Sequence, residues 1–134
     1  MLLYGANERE CIIMAYKTLK ERYSKFAACL PASAKMNGSS YYFSEGIAHE
    51  LRKDYSSAKK NFLIATALGN GEAAMHLGFL YHYGLGTDVD IERALKHYKY
   101  AIQLGLDEAA GMIDEMAKEG LIDQNDRASS KQKK

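Results

Sequence analysis

The chain has 134 residues, 47% of them hydrophobic and 26% charged, with a formal net charge of +1. That length sets one domain with room for a continuous core. The near-neutral balance argues against a general nucleic-acid binder, which needs many phosphate-neutralising side chains. No apolar run approaches the roughly 20 residues of a membrane span, and Met1-Leu2-Leu3-Tyr4 is too short for a signal-peptide core.

The first predicted element is a helix opening at Asn7-Glu8-Arg9-Glu10, where Asn7 can cap and Glu10 can reach back as in a capping box. Apolar residues then recur at Ile12, Tyr16, Leu19, Tyr23, Phe26 and Leu30, an i, i+3/i+4 stripe that needs a partner face. The two cysteines, Cys11 and Cys29, both fall in this stretch. A straight helix would hold them roughly 27 Å apart, beyond disulfide reach. The expectation is two reduced thiols and a cytoplasmic protein, with a bridge surviving only if the stretch folds back as a hairpin. Pro31 stops the helix, and Ala32 to Ser40 reads as a loop.

From Ser40 onward the chain repeats. A first helix carries Tyr41, Tyr42, Phe43, Gly46, Ile47 and Leu51. A second runs from about Asp54 to Leu68, with Ala58, Phe62 and Ala65 inward and Gly69 as its stop. The next pair lies near Glu72 to Tyr83 and Ile91 to Leu104, joined by Gly84-Leu85-Gly86-Thr87-Asp88-Val89-Asp90 and ended by Gly105. A last helix is expected near Asp107 to Lys118. Beyond Ile122 the chain is polar and ends in Lys131-Gln132-Lys133-Lys134, a flexible tail. Shifting by 36 residues superposes Asp90, Ala94, Tyr98, Ala101 and Gly105 on Asp54, Ala58, Phe62, Ala65 and Gly69. Such a period means stacked supersecondary units, each burying the apolar face that its neighbour leaves open. The resulting division is 1–39 for the N-terminal helix and linker, 40–122 for the repeats (40–71, 72–107 and a partial 108–122), and 123–134 for the tail.

Leu77-Gly78-Phe79-Leu80-Tyr81, Gly84-Leu85-Gly86, Asp90, Ala94, Tyr98, Ala101 and Gly105 together resemble the Sel-one-like repeat, a subclass of the tetratricopeptide-repeat superfamily. The first repeat departs from that pattern: Gly46 to Ala58 spans 12 residues, whereas Gly78 to Ala94 spans 16. The shorter spacing resembles an ordinary tetratricopeptide repeat. The resemblance implies an all-α fold, a short right-handed α-solenoid in which the N-terminal helix serves as a cap. It also implies a protein-interaction module, an adaptor or regulator, rather than an enzyme. Relatives with paired cysteines inside each repeat are extracytoplasmic, and this chain lacks that in-repeat pairing.

Other chemistry is weakly signalled. Gly84-Leu85-Gly86 follows a helix rather than a strand and lacks a third glycine or a Lys-Ser/Thr, so a turn needing positive φ explains it better than a phosphate loop. His76, His82 and His97, with Asp88 and Asp90, suggest a metal site only loosely. His76 and His82 are six residues apart, which sets them about 120° apart around a helix, whereas metal helices favour i, i+3 or i+4 pairs. No motif activates either cysteine, and no nucleophile elbow is present. No catalytic residue, cofactor or metal is therefore assigned, and a small metal-dependent enzyme stands only as a remote alternative.

First helices of stacked pairs line the concave face. The expected partner surface is thus Phe43, Ile47 and Glu50 from the first repeat, and Met75, Phe79, His82 and Tyr83 from the second. Glu115 from the third repeat lies at an acidic end. The occupant expected there is an unidentified protein or peptide; neither nucleic acid nor membrane is expected. Two alternatives stay open. The N-terminal helix fills the groove or packs on the end of the stack, and the open end after Ile122 or the N-terminal helix itself pairs two copies into a homodimer.

Overall fold

The computed structural model describes residues 18–123 as six helices. They are α1 (Leu19–Cys29), α2 (Ala32–Leu51), α3 (Tyr55–Ala67), α4 (Gly71–Tyr83), α5 (Ile91–Gln103) and α6 (Ala109–Lys118). Helices α2 and α3 pack as one pair and α4 and α5 as the next, with α3 against α4 and α5 against α6. No helix among the described residues is long and apolar enough to cross a membrane.

Side-chain caps open most of these helices. The backbone N–H of Ser57 donates to Asp54 Oδ1 at 3.3 Å, and that of Arg93 donates to Asp90 Oδ1 at 3.0 Å. Asn70 does the same for Ala73 at 2.9 Å, satisfying one of the donors that each helix start leaves unpaired.

The pairs are close because glycine on each first helix faces an aromatic ring on the second. A Cβ added to Gly78 would lie 2.6 Å from the Tyr98 ring, and one added to Gly46 would collide with Phe62. Ala58, Ala65, Ala94 and Ala101 are fully buried around these rings, so backbones approach and one large side chain fills the gap. The core continues through Leu77, Leu80, Ile113 and Met116.

The two repeats reach the same packing through different connections. Repeat one turns through Arg52, Lys53 (φ 64°) and Asp54, whereas repeat two takes the longer Gly84 to Asp90 path. The extra residues fold back onto the start of α3. Gly86 has φ 74°, and a Cβ there would meet the Tyr55 Cβ at 2.6 Å. Backbone conformation and close approach both require glycine at this point.

Three expectations change. Ala32 to Ser40 is helical rather than a loop. Pro31 occupies the N-cap, its carbonyl accepts from the Ala34 N–H at 3.0 Å, and the expected break survives only at Gly38, whose non-helical backbone (φ 82°, ψ 163°) divides the span into two helical runs. Proline is compatible with a helix start, and Ala-Ser-Ala-Lys-Met holds no breaker. The N-terminal stretch is also interrupted: Thr18 is extended (φ −131°, ψ 160°), and its side chain accepts from the Glu21 N–H at 3.1 Å, so α1 begins at Leu19. The proposed start at Asn7 lies outside the described residues, as does the tail from residue 124.

The third change concerns the thiols. Cys29 is disulfide-bonded, not reduced; the only other cysteine of the chain, Cys11, lies outside the described residues. The separation of about 27 Å assumed one straight helix, and the cap at Thr18 removes that premise. The redox argument for the cytosol goes with it.

Candidate interaction surface

Helix α1 takes neither of the places considered for the N-terminal helix. It packs chiefly on α3 and α5, the second helices of the two repeats. Leu19, Tyr23 and Phe26 carry the contact, as their i, i+3/i+4 spacing requires. Tyr23 is 6% exposed, stacks on Tyr100 at 5.5 Å and meets His97 edge-on at 5.8 Å.

A buried polar pair fixes this contact. His97 Nδ1–H donates to the Arg93 carbonyl at 2.9 Å, which leaves Nε2 to accept from the Tyr23 hydroxyl at 2.8 Å. Burial lowers the His97 pKa to about 4, against the partial support of the Arg93 backbone hydrogen bond; Arg22, Arg93 and Lys59 lower it further. Burial likewise pushes the Tyr23 phenol well above its ordinary value. Both groups are therefore neutral, and each supplies the other's hydrogen bond.

On the opposite, first-helix side, the expected surface residues divide into two groups. Phe43 and Glu50 join the repeats through His76, which was not among the expected surface residues. The Phe43 ring lies 5.9 Å from Phe62 and 5.4 Å from His76, while His76 Nδ1–H donates to Glu50 Oε1 at 3.1 Å. Ile47 and Met75 are half-buried against the same core. Phe79 and Tyr83 form a ring pair 4.7 Å apart, with Tyr83 45% exposed. Glu115 stands exposed on α6.

His82 does not belong to an open groove. It is 4% exposed, and both ring nitrogens are engaged. Nε2–H donates to Glu119 Oε1 at 2.9 Å, so in the neutral ring Nδ1 accepts from the Tyr98 hydroxyl at 3.1 Å. Helical spacing placed His82 beside Phe79, but it did not reveal that Tyr98 and Glu119 enclose it. His82 thereby ties α4 to the end of α6. The three histidines considered for a metal thus hold three separate sets of partners, and among the described residues no group of three or more His, Cys, Asp or Glu side chains could hold a metal ion.

The Sel1 repeat matches residues 36–70 and 71–106, over half of the chain and spanning α2 to α5. The chain belongs to the Sel1 repeat family. Sel1 repeats are tetratricopeptide-like helix pairs that generally serve as protein-interaction modules, and the scaffold is usually non-catalytic. Comparison with curated proteins and with solved structures finds no significant match. Within the Sel1 frame, Gly46 with Phe62 and Gly78 with Tyr98 are equivalent packing pairs, and Asp54 and Asp90 are equivalent caps. Sequence reasoning singled out these positions but missed the Tyr23–His97 lock. Its one visible signal was the apolar stripe of α1, which demanded a partner without naming it.

Proposed function

We propose that this Sel1 repeat protein is an adaptor or regulator, and that a peptide segment of a partner protein lies along the first helices α2, α4 and α6. Phe43, Ile47, Glu50, Met75, Phe79 and Tyr83 form the contact surface, with Glu115 toward its acidic end. The observation that carries this reading is the seat of α1 on α3 and α5. Its apolar stripe is satisfied on the second helices, away from the Phe79–Tyr83 pair. Aromatic side chains at the solvent boundary are the kind of anchor that a partner buries. Phe79→Ala and Tyr83→Glu should leave the helical fold intact while weakening partner capture. Unchanged affinity for the same partners in both variants would refute the assignment of the groove.

A second reading is self-association through the end of the stack. It rests on Leu121, which is 42% exposed just beyond α6. Mass measurement across a concentration range separates the two, since a strict monomer excludes the homodimer.

A further inference from the structure

The chain holds two Asn-Gly steps, Asn37-Gly38 and Asn70-Gly71. In each, the backbone nitrogen of the following residue can attack the asparagine Cγ, and glycine leaves that nitrogen unshielded because it has no side chain. Local sequence makes the two steps equivalent. The fold separates them.

Asn70-Gly71 is held on both sides. Asn70 is the N-cap of α4, and its Oδ1 accepts from the Ala73 N–H at 2.9 Å, which ties the carboxamide to the third residue of the helix. Gly71 is packed as well: a Cβ there would lie 3.3 Å from Leu106 Cβ and 3.4 Å from both the Ala101 carbonyl oxygen and Leu104 Cβ. Rotating this peptide unit for attack breaks the cap and drives backbone against the end of α5. Asn37-Gly38 lies open. Asn37 is exposed, and a Cβ on Gly38 would have no atom of the described residues within 4 Å. Gly38 already leaves the helical path, so the run 32–37 ends at Asn37 and only its last turn has to fray. The Asn37 carboxamide donates to the Tyr42 hydroxyl at 3.3 Å. That is longer than the usual range of roughly 2.7–3.2 Å, so the bond restrains the side chain little.

We propose that Asn37 is a site of spontaneous deamidation and isomerisation, built into the break of α2. The Gly38 backbone nitrogen loses its proton and bonds to Asn37 Cγ. The Cγ–Nδ2 bond breaks, and ammonia leaves carrying that proton, which closes a succinimide ring. Water, the one co-reactant, then opens the ring. Cleavage on the Cγ side leaves aspartate; cleavage on the α-carbonyl side leaves isoaspartate, whose main chain runs through Cβ. The net exchange is water for ammonia, with neither oxidation nor reduction. Either product carries a carboxylate, which takes the formal net charge from +1 to neutral. The new charge lies beside the start of the run 39–51, where the helix dipole favours an anion, and isoaspartate lengthens the backbone there by a methylene. That run carries Phe43, Ile47 and Glu50, so ageing at Asn37 acts on a helix of the proposed groove. The chemistry itself is independent of any partner.

The test ages the full chain in heavy-oxygen water at neutral and mildly alkaline pH, folded and in urea, and follows its tryptic peptides by mass spectrometry. Cleavage at Lys35 and Arg52 isolates the Asn37 step, and cleavage at Lys60 and Arg93 isolates the Asn70 step. In the folded chain the Asn37 peptide gains a heavy oxygen, faster at the higher pH, and becomes a substrate for a protein isoaspartyl methyltransferase. The Asn70 step gains it about tenfold more slowly, the factor expected of a cap that must open first. In urea the two rates converge. Asn37→Gln, whose longer side chain closes a ring less readily, removes the fast reaction. Asn70→Ser keeps a capping side chain and leaves the rate at Asn37 unchanged. Equal rates in the folded chain, or a faster reaction at Asn70, overturns the proposal. So does a folded Asn37 rate more than about tenfold below its rate in urea, since the site would then need more than local fraying. Aspartate without isoaspartate shows direct hydrolysis in place of the ring, which also overturns it.

Discussion

Acidification should loosen this fold through one residue, His97. The neutral ring is locked between the Arg93 carbonyl and the Tyr23 hydroxyl, and the charges acting on it, Arg22, Arg93 and Lys59, are all positive. A proton added at Nε2 would displace the Tyr23 donor and bury a cation among cations. The folded pKa of about 4 lies below the ordinary 6.5, so the unfolded chain takes up the proton first as pH falls. The stabilisation by neutral His97 is complete above about pH 6.5, declines between there and about pH 4, and is gone below. Each unit of displacement is equivalent to 1.36 kcal/mol, so the loss is about 3 kcal/mol. That is a large share of the 5–15 kcal/mol typical of a domain. Denaturant unfolding of the wild type and of His97→Gln across this pH range gives the difference directly, with other titrating groups cancelling. The wild-type advantage should shrink by about 3 kcal/mol on going to pH 4. A constant difference, or a ring titration by NMR with its midpoint near the ordinary histidine value, would refute the argument.

Other substitutions test the packing one contact at a time. Tyr23→Phe keeps the stacked ring but leaves His97 Nε2 buried without a donor, which should cost about 1–3 kcal/mol by denaturant unfolding; no loss would mean that the hydroxyl is dispensable. Ala94→Leu places extra methyl groups where Ala94 is fully buried and should destabilise by about 1–3 kcal/mol through overpacking. An unchanged melting curve would count against the repeat register. Asp90→Ala removes the acceptor for the Arg93 N–H and should cost about 0.5–2 kcal/mol, with α5 fraying first in amide exchange.

Local rules account for what could be read along the chain. Asp54 and Asp90 cap because their carboxylates reach the N–H three residues on, a relation that needs no tertiary partner. Gly46 and Gly78, with Phe62 and Tyr98, repeat at corresponding positions, so their common packing role was visible as a pattern. The Gly84-Leu85-Gly86 turn was legible for the same reason: positive φ restricts residue choice. The stretch before Gly38 misled because a proline that ends one helix can also begin the next.

The candidate surfaces behave differently. Spacing placed Phe43, Ile47, Glu50, Met75, Phe79 and Tyr83 on first helices, yet it could not separate His82 from Tyr83. Their exposure depends on Tyr98 and Glu119, 16 and 37 residues distant from His82.

By itself, then, the sequence determined the helix pairs, their register and the family, because periodicity, caps and turns are encoded within a few residues. Only the tertiary structure decided where α1 sits. An apolar stripe specifies that a helix must be buried, and long-range side-chain complementarity, here Tyr23 against His97 and Tyr100, specifies against what. That choice leaves the Phe79–Tyr83 pair at the surface.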